Sequence, residues 1–242
     1  MLIFPVLDLL HGQVVHGRQG NRASYKPIKS IICDSADPID VVQAFTETFD
    51  LHQFYVADLD AIQKIGNNFA TLRELKVNFP TTTLMTDIGV QNIGDISEAG
   101  LDLTDVFILG TETLESLAAL DDILTNLPRS KVIISLDLKN GELLHVPLDF
   151  DNSLERLLAS FTSRDINTIL VIDIVKVGSG NGPRYAELDT IRATFPGKII
   201  VGGGVRNAAD LAELEQLGYD GALIATAFHS GTLTPAEITQ FI

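Results

Sequence analysis

Two aspartates, Asp8 and Asp137, each close a short apolar run and each open the same nine-residue pattern. One reads Asp8-Leu9-Leu10-His11-Gly12-Gln13-Val14-Val15-His16, the other Asp137-Leu138-Lys139-Asn140-Gly141-Glu142-Leu143-Leu144-His145. The Asp, the Gly, the apolar pair and the His all recur at an offset of 129 residues. A carboxylate at a strand end, then a Gly turn and a short apolar pair, describes a strand, a turn and a ribbon folding back. Two carboxylates sharing one mouth have their pKa values driven apart, so that one serves as base and the other as acid. The chemistry is proton transfer, with Asp8 working at carbon and Asp137 at a ring or carbonyl oxygen. A plainer role, capping a loop at a strand end, stays open for each.

Short apolar runs must position these acids. They lie at 2–7, 53–57, 82–86, 105–109, 131–136, 168–174, 198–202 and 221–225. Near-continuous apolarity suits strands buried on both faces, as in a parallel sheet. Helix-like segments alternate with them, opened by Asp37-Pro38, by Asn92 ahead of Asp95 and by Asn207 ahead of Asp210. Helical spacing continues in Phe69-Leu72-Leu75-Phe79, Leu154-Leu157-Leu158-Phe161 and Leu211-Leu214-Leu217. From the second run onward a second offset, 115 residues, pairs Asp58 with Asp173, Gly89 with Gly204, Asn92 with Asn207 and Thr111 with Thr226. The expectation is an α/β fold: one (β/α)8 barrel over residues 1–242, made of two similar half-barrels of about 1–126 and 127–242. The first half carries about fourteen additional residues within 17–37. No G-x-G-x-x-G follows the first strand, which disfavours a dinucleotide-binding sheet.

The second chemical signal concerns phosphate. Val201-Gly202-Gly203-Gly204-Val205-Arg206-Asn207 runs a strand into three glycines and a helix cap. Backbone N–H groups there can approach an anion closely, and the loop after the eighth strand, Ala225-Thr226, completes such a site in barrels. The candidate phosphate residues are therefore Gly203, Gly204, Ala225 and Thr226; a merely tight turn is the alternative. The first-half counterparts are Gly89, Gly110 and Thr111, but two glycines have become Asp87-Ile88. A carboxylate there repels phosphate, so this site is expected to be weak or altered. Arg18, Arg22, Lys26 and Lys29 lie in one loop with no acid between Arg18 and Lys29. In a chain of net charge −15 that local excess suits an anionic substrate, against a simply solvated loop. Arg18, Arg22, Asp58, Asp173 and Lys176 are the candidate substrate contacts. His16 and His145 are expected to be structural or surface groups.

Composition excludes several classes. The acidic balance argues against a nucleic-acid partner, which is bound chiefly through Lys and Arg clusters. The one cysteine, Cys33, excludes an internal disulfide framework and is expected to be a small buried hydrophobe. No spacing resembles a metal site, no cofactor is called for, and no apolar run approaches the ~18 residues of a membrane span. Asp8 and the missing basic start argue against a signal peptide, leaving a cytoplasmic protein, monomeric or a small homo-oligomer, that takes a small phosphorylated substrate.

The motifs Pro5-Val6-Leu7-Asp8-Leu9, Gly12-Gln13-Val14-Val15, Val56-Ala57-Asp58-Leu59-Asp60-Ala61, Ile108-Leu109-Gly110-Thr111, Ser135-Leu136-Asp137 and Gly202-Gly203-Gly204-Val205 resemble the histidine-biosynthesis barrel family over essentially the whole chain. That family includes phosphoribosylformimino-aminoimidazole-carboxamide ribotide isomerase and the cyclase subunit of imidazole glycerol phosphate synthase. The resemblance implies that Asp8 and Asp137 stand at the catalytic centre and that family ligands carry two phosphates, one per half. The chain departs from the isomerase where Lys176-Val177-Gly178-Ser179 puts Val177 in place of an acid, Ile172 in place of a Thr, and Gln91 in place of an Arg. Val15-His16 with Arg18, and Tyr25-Lys26-Pro27-Ile28, resemble a divergent branch associated with methanopterin-linked one-carbon metabolism. Losing a general acid costs about 10²–10⁴ in rate. The expectation is an isomerase- or lyase-type enzyme on a phosphorylated sugar-derived metabolite. The histidine-pathway isomerase itself, a cyclase needing an ammonia-producing partner, and a non-catalytic phosphometabolite-binding protein remain alternatives.

Overall fold

The computed structural model describes residues 1–17, 24–139, 142–144, 153–180, 182–183 and 186–241. The strands are β1 (Leu2–Leu10), β2 (Gln13–Val15), β3 (Gln53–Asp58), β4 (Thr83–Asp87), β5 (Val106–Gly110), β6 (Val132–Lys139), β7 (Glu142–Leu143), β8 (Thr168–Asp173), β9 (Lys198–Gly202) and β10 (Gly221–Ile224). Each of the eight apolar runs has become a parallel strand. Their order around the sheet is β1-β3-β4-β5-β6-β8-β9-β10, and β10 pairs with β1 to close it. Strand is followed by helix throughout, which makes this a (β/α)8 barrel. β2 and β7 are short antiparallel ribbons on β1 and β6.

Closure divides the apolar side chains into two layers. Phe4, Tyr55, Ala57, Met85, Ile108, Ile133, Leu170, Ile200 and Leu223 fill the barrel interior. Their alternates, among them Ile3, Leu7, Phe54, Leu84, Phe107, Ile134, Ile169 and Ile199, face the helices. A strand whose residues are buried on both sides explains the continuous apolar runs. Fully burying one such side chain stabilises by about 1.5–3 kcal/mol.

The helices start where the caps indicated. α1 (Pro38–Phe49) opens on Asp37, whose carboxylate accepts from Ile39 N–H at 2.8 Å. After the one-turn α2 (Leu59–Ile62) come α3 (Phe69–Asn78) and α4 (Ile93–Ala99), the latter held by a reciprocal cap between Asn92 and Asp95. α5 (Leu117–Asn126), α6 (Leu154–Thr162) and α7 (Ala186–Thr194) follow, and α8 (Ala208–Gln216) is capped by Asn207. α9 (Thr226–His229) and α10 (Pro235–Ile238) are one-turn helices. Phe45 and Phe49 of α1 pack edge-on against Phe228 of α9 at 5.1 and 4.9 Å, tying the end of the barrel to its start. No helix among the described residues is long and apolar enough to cross a membrane.

Candidate active site

Asp8 sits near the C-terminal end of β1, where the chain reverses through His11 and Gly12, both with positive φ (51° and 76°), into β2. A buried polar network fixes this turn. Asp60 accepts from His11 N–H at 2.6 Å, and the Asn68 side-chain oxygen accepts from Gly12 N–H at 2.9 Å. Asn68 donates in turn to Asp58 at 2.7 Å and to Asp60 at 2.8 Å. Asp58 also accepts from the N–H groups of Asn68 and Ala61. Asp58, a candidate substrate contact, is thus fully buried away from the mouth, with both oxygens engaged in holding the hairpin that carries Asp8.

Asp137 occupies the corresponding place near the end of β6. Ser135 Oγ donates to its Oδ1 at 3.3 Å, and its own carbonyl accepts from Leu144 N–H at 2.7 Å as the β7 ribbon folds back. β1 and β6 are four strands apart in a closed ring of eight, so the two aspartates face each other across the mouth. Both line one cavity of about 460 Å³. Over Asp8 the chain passes so closely at Gly17 that a β-carbon there would strike the carboxylate, with the Tyr25 hydroxyl next to it.

The glycine turn after β9 lines the same cavity with Gly202, Gly203 and Gly204. Gly203 and Gly204 have φ of 95° and 88°, and a β-carbon on either would lie 2.8 Å from Asp173 O or 2.6 Å from Gly182 O. Their lack of side chains lets the β8–α7 loop close over the turn. Ala225 and Thr226 line the cavity beside them, and Thr226 Oγ1 lies 3.1 Å from His16 Nε2. His16, expected to be a structural or surface group, is thus partly buried and a neighbour of the candidate phosphate loop. Arg206, at the rim, is held by the helix that follows it: Asp210 accepts from its backbone and its guanidinium at 2.7–2.9 Å. Burial works against ionisation of Asp210, but these bonds from Arg206 outweigh it and hold the carboxyl below its usual range.

The first-half residues are arranged differently. Gly89 N–H donates to Asp87 Oδ1 at 2.8 Å, so the amide expected to meet a phosphate is occupied by the protein's own carboxylate. Thr111 is buried with no hydrogen-bond partner for its Oγ1, and neither it nor Gly89 nor Gly110 lines the cavity. Asp87 and Glu112 do line it. Asp173 is 3% exposed, accepts from Val175 N–H, and with Lys176 lies behind the lining. Val177, Ile172 and Ile174 present an apolar wall in its place. Lys26 is exposed in the loop after β2, whereas Arg18, Arg22 and His145 lie outside the described residues.

Tyr55 and Glu112 reach the site without having been singled out from sequence. Tyr55 lies two positions before Ala57 on the inward face of β3, a spacing the period-two rule makes readable. Burial raises its phenol well above the ordinary value, and Asp87, Asp137, Asp8 and Glu112, in that order, raise it further. All four carboxylates are thus close enough to act on one hydroxyl. Among the described residues no group of three or more His, Cys, Asp or Glu side chains is arranged to hold a metal ion.

The whole chain has relatives of the same length. A family model described as histidine biosynthesis protein matches residues 2–234. The chain belongs to this family. An uncharacterized protein of Methanocaldococcus jannaschii is 35% identical over 240 residues, covering 98% of this chain and 97% of that one. A protein of Lactiplantibacillus plantarum named 1-(5-phosphoribosyl)-5-((5-phosphoribosylamino)methylideneamino)imidazole-4-carboxamide isomerase is 28% identical over 246 residues, covering 98% of both. An Oceanobacillus iheyensis protein of the same name is 24% identical over 245 residues, covering 99% of this chain and 98% of that one. These two relatives named for the isomerase are less similar to this chain than the uncharacterized one.

Proposed function

We propose that this family member is an enzyme of the isomerase or lyase type that acts on a phosphorylated sugar-derived metabolite through Asp8 and Asp137. The observation that carries the reading is the sharing of one cavity by two opposed, half-buried aspartates and the glycine turn after β9. Phosphate would lie against the Gly203 and Gly204 N–H groups with Ala225 and Thr226 beside it, leaving the carbon skeleton between the acids. Asp8 removes a proton from carbon, and the electron pair moves toward an oxygen that Asp137, steadied by Ser135, protonates. Return of the protons to exchanged positions completes an isomerisation; loss of a leaving group completes a lyase reaction. The two hairpins β1–β2 and β6–β7, with their 129-residue offset, support an origin in two half-barrels.

The named relatives favour the histidine-pathway isomerase as a second reading. Against it stand Val177 in place of the family acid and Asp87 on the Gly89 amide. Restoration of growth to a histidine-requiring strain separates the two. For the preferred reading, Asp8→Asn and Asp137→Asn should each fold, retain phosphate-dependent ligand binding, and lose about 10²–10⁴ of turnover. Loss of binding without a specific loss of turnover would instead favour a non-catalytic phosphometabolite-binding protein.

A further inference from the structure

The closed strand order sets two axes across the mouth. β1 and β6 are four strands apart, as are β4 and β9, and β5 and β10. Strands ~4.8 Å apart and tilted by ~36° close on a ring about 15 Å across. A ligand held on the β9–β10 side therefore extends toward β4 and β5, with Asp8 and Asp137 on its flanks.

The two ends of that line have opposite character. The β9–β10 side is lined by Gly202, Gly203, Gly204, Ala225 and Thr226 and, among the described residues, carries no carboxylate. The β4–β5 side presents Asp87 and Glu112. At the 115-residue offset these two correspond to Gly202 and Ala227, so carboxylates stand on one side where the other has almost no side chain. The Gly89 amide, turned onto Asp87, is withdrawn from any anion there. Tyr55 adds an independent mark. It is 6% exposed, borders the cavity, and its hydroxyl makes no hydrogen bond to the described residues. It lies one inward position below Ala57, which is in register with both Asp8 and Asp87. A buried hydroxyl opening into a cavity is completed by water or by a ligand group that displaces it.

We propose that the substrate carries a cationic nitrogen, a primary ammonium or an amidinium, at the end opposite its phosphate, received by Asp87, Glu112 and the Tyr55 oxygen. An ammonium has three N–H donors and no acceptor, and these side chains present it three acceptor groups. The same carboxylates turn away a second phosphate, so the ligand is a monophosphate with a basic end. The proposal rests on the phosphate reading of the β9–β10 loops.

Titration calorimetry of the full chain with paired probes tests it. ω-Aminoalkyl phosphates with spacers of about two to five carbons are compared with alkyl phosphates of equal length and with the matching bisphosphates. The best aminoalkyl phosphate should bind about 10-fold or more tightly than its alkyl partner, a typical gain for one charge-assisted contact. That advantage should shrink to about threefold or less in Asp87→Asn/Glu112→Gln and fall partway in Tyr55→Phe. Gly204→Ala should weaken both probes together. Equal wild-type affinity for the two probes, with Gly204→Ala still weakening both, would leave the phosphate reading standing and overturn the cationic end. So would a bisphosphate binding best, or an ammonium advantage that survives Asp87→Asn/Glu112→Gln. Binding of neither probe would overturn the phosphate reading and this inference with it.

Discussion

His229 should make the protein lose stability as pH falls toward 4. It closes α9, three residues after Thr226, with its ring edge-on to Phe45 at 5.5 Å and Nδ1 3.0 Å from Ser30 Oγ. Its Nε2 is buried without a partner. Burial, and secondarily the neighbouring His16, lower its pKa from 6.5 to about 4. Above pH 6.5 both folded and unfolded chains carry it neutral, and it contributes no slope. Between pH 6.5 and 4 the unfolded chain binds a proton that the folded chain refuses, so stability falls by about 1.4 kcal/mol per pH unit, roughly 3 kcal/mol across the window. His229→Phe places an apolar ring in the Phe45–Phe49–Phe228 cluster. The variant loses the Ser30 bond, about 1 kcal/mol, and is relieved of an unpaired buried nitrogen worth about as much. Near pH 7.5 it should match the wild type within about 1–2 kcal/mol. Urea unfolding of both proteins from pH 7.5 to 4.5 reads the difference, which should move in favour of His229→Phe by about 2–3 kcal/mol. Parallel curves, with a constant difference at every pH, would refute a neutral buried imidazole at this position.

Two further outcomes follow from the mouth. Gly17→Ala puts a methyl group onto the Asp8 carboxylate, and should depress turnover at least as much as Asp8→Asn while leaving the thermal midpoint within a few degrees, read by kinetics and calorimetry side by side. Neutralising Arg18, Arg22 and Lys26 together should raise KM for the proposed phosphorylated substrate by about 10-fold and flatten its dependence on salt, because removed charges no longer draw in an anion; unchanged kinetics would make this a merely solvated loop.

The barrel was legible because closure imposes one requirement on all eight strands: both faces are buried, so Ile3-Phe4, Phe107-Ile108 and Ile199-Ile200 read as unbroken apolar runs. Caps were legible because Asp37, Asn92 and Asn207 act on amides within a few residues of themselves. The site was only half legible. Asp8, Asp137 and the glycine turn announce themselves by repetition, but which acids share a cavity depends on strands far apart in sequence. Asp58 and Asp173 pair at the 115-residue offset, yet both point away from the mouth. Asp58 in fact serves the His11–Gly12 turn through Asn68, a contact across 56 residues that no local pattern encodes. Tyr55 hides inside an apolar run, where an aromatic reads as core until its hydroxyl is seen to open on the cavity.

Val177→Asp discriminates most directly between the two enzyme readings. In a histidine-pathway isomerase hampered only by a missing acid, restoring that acid should raise turnover by about 10²-fold or more. The cavity gives two reasons to expect no such gain. The isomerase's named substrate carries two phosphoribosyl groups, and here the side opposite the proposed phosphate loop holds Asp87 and Glu112, with the Gly89 amide already taken. One unit charge opposing another at ~4 Å costs about 4 kcal/mol at an effective dielectric constant near 20, as much as a restored acid would contribute. Val177 is also only half-buried, so a carboxylate there stays hydrated and ionised and adds a fifth carboxyl group to a lining that holds Asp8, Asp87, Glu112 and Asp137. The stability loss should therefore be small, about 1 kcal/mol, and not the larger one expected of a dry pocket. Isomerase turnover should be undetectable in the wild type and in Val177→Asp alike. A measurable gain in Val177→Asp alone would mean that Asp87 and Glu112 do not bar a second phosphate, and would return the chain to the histidine pathway.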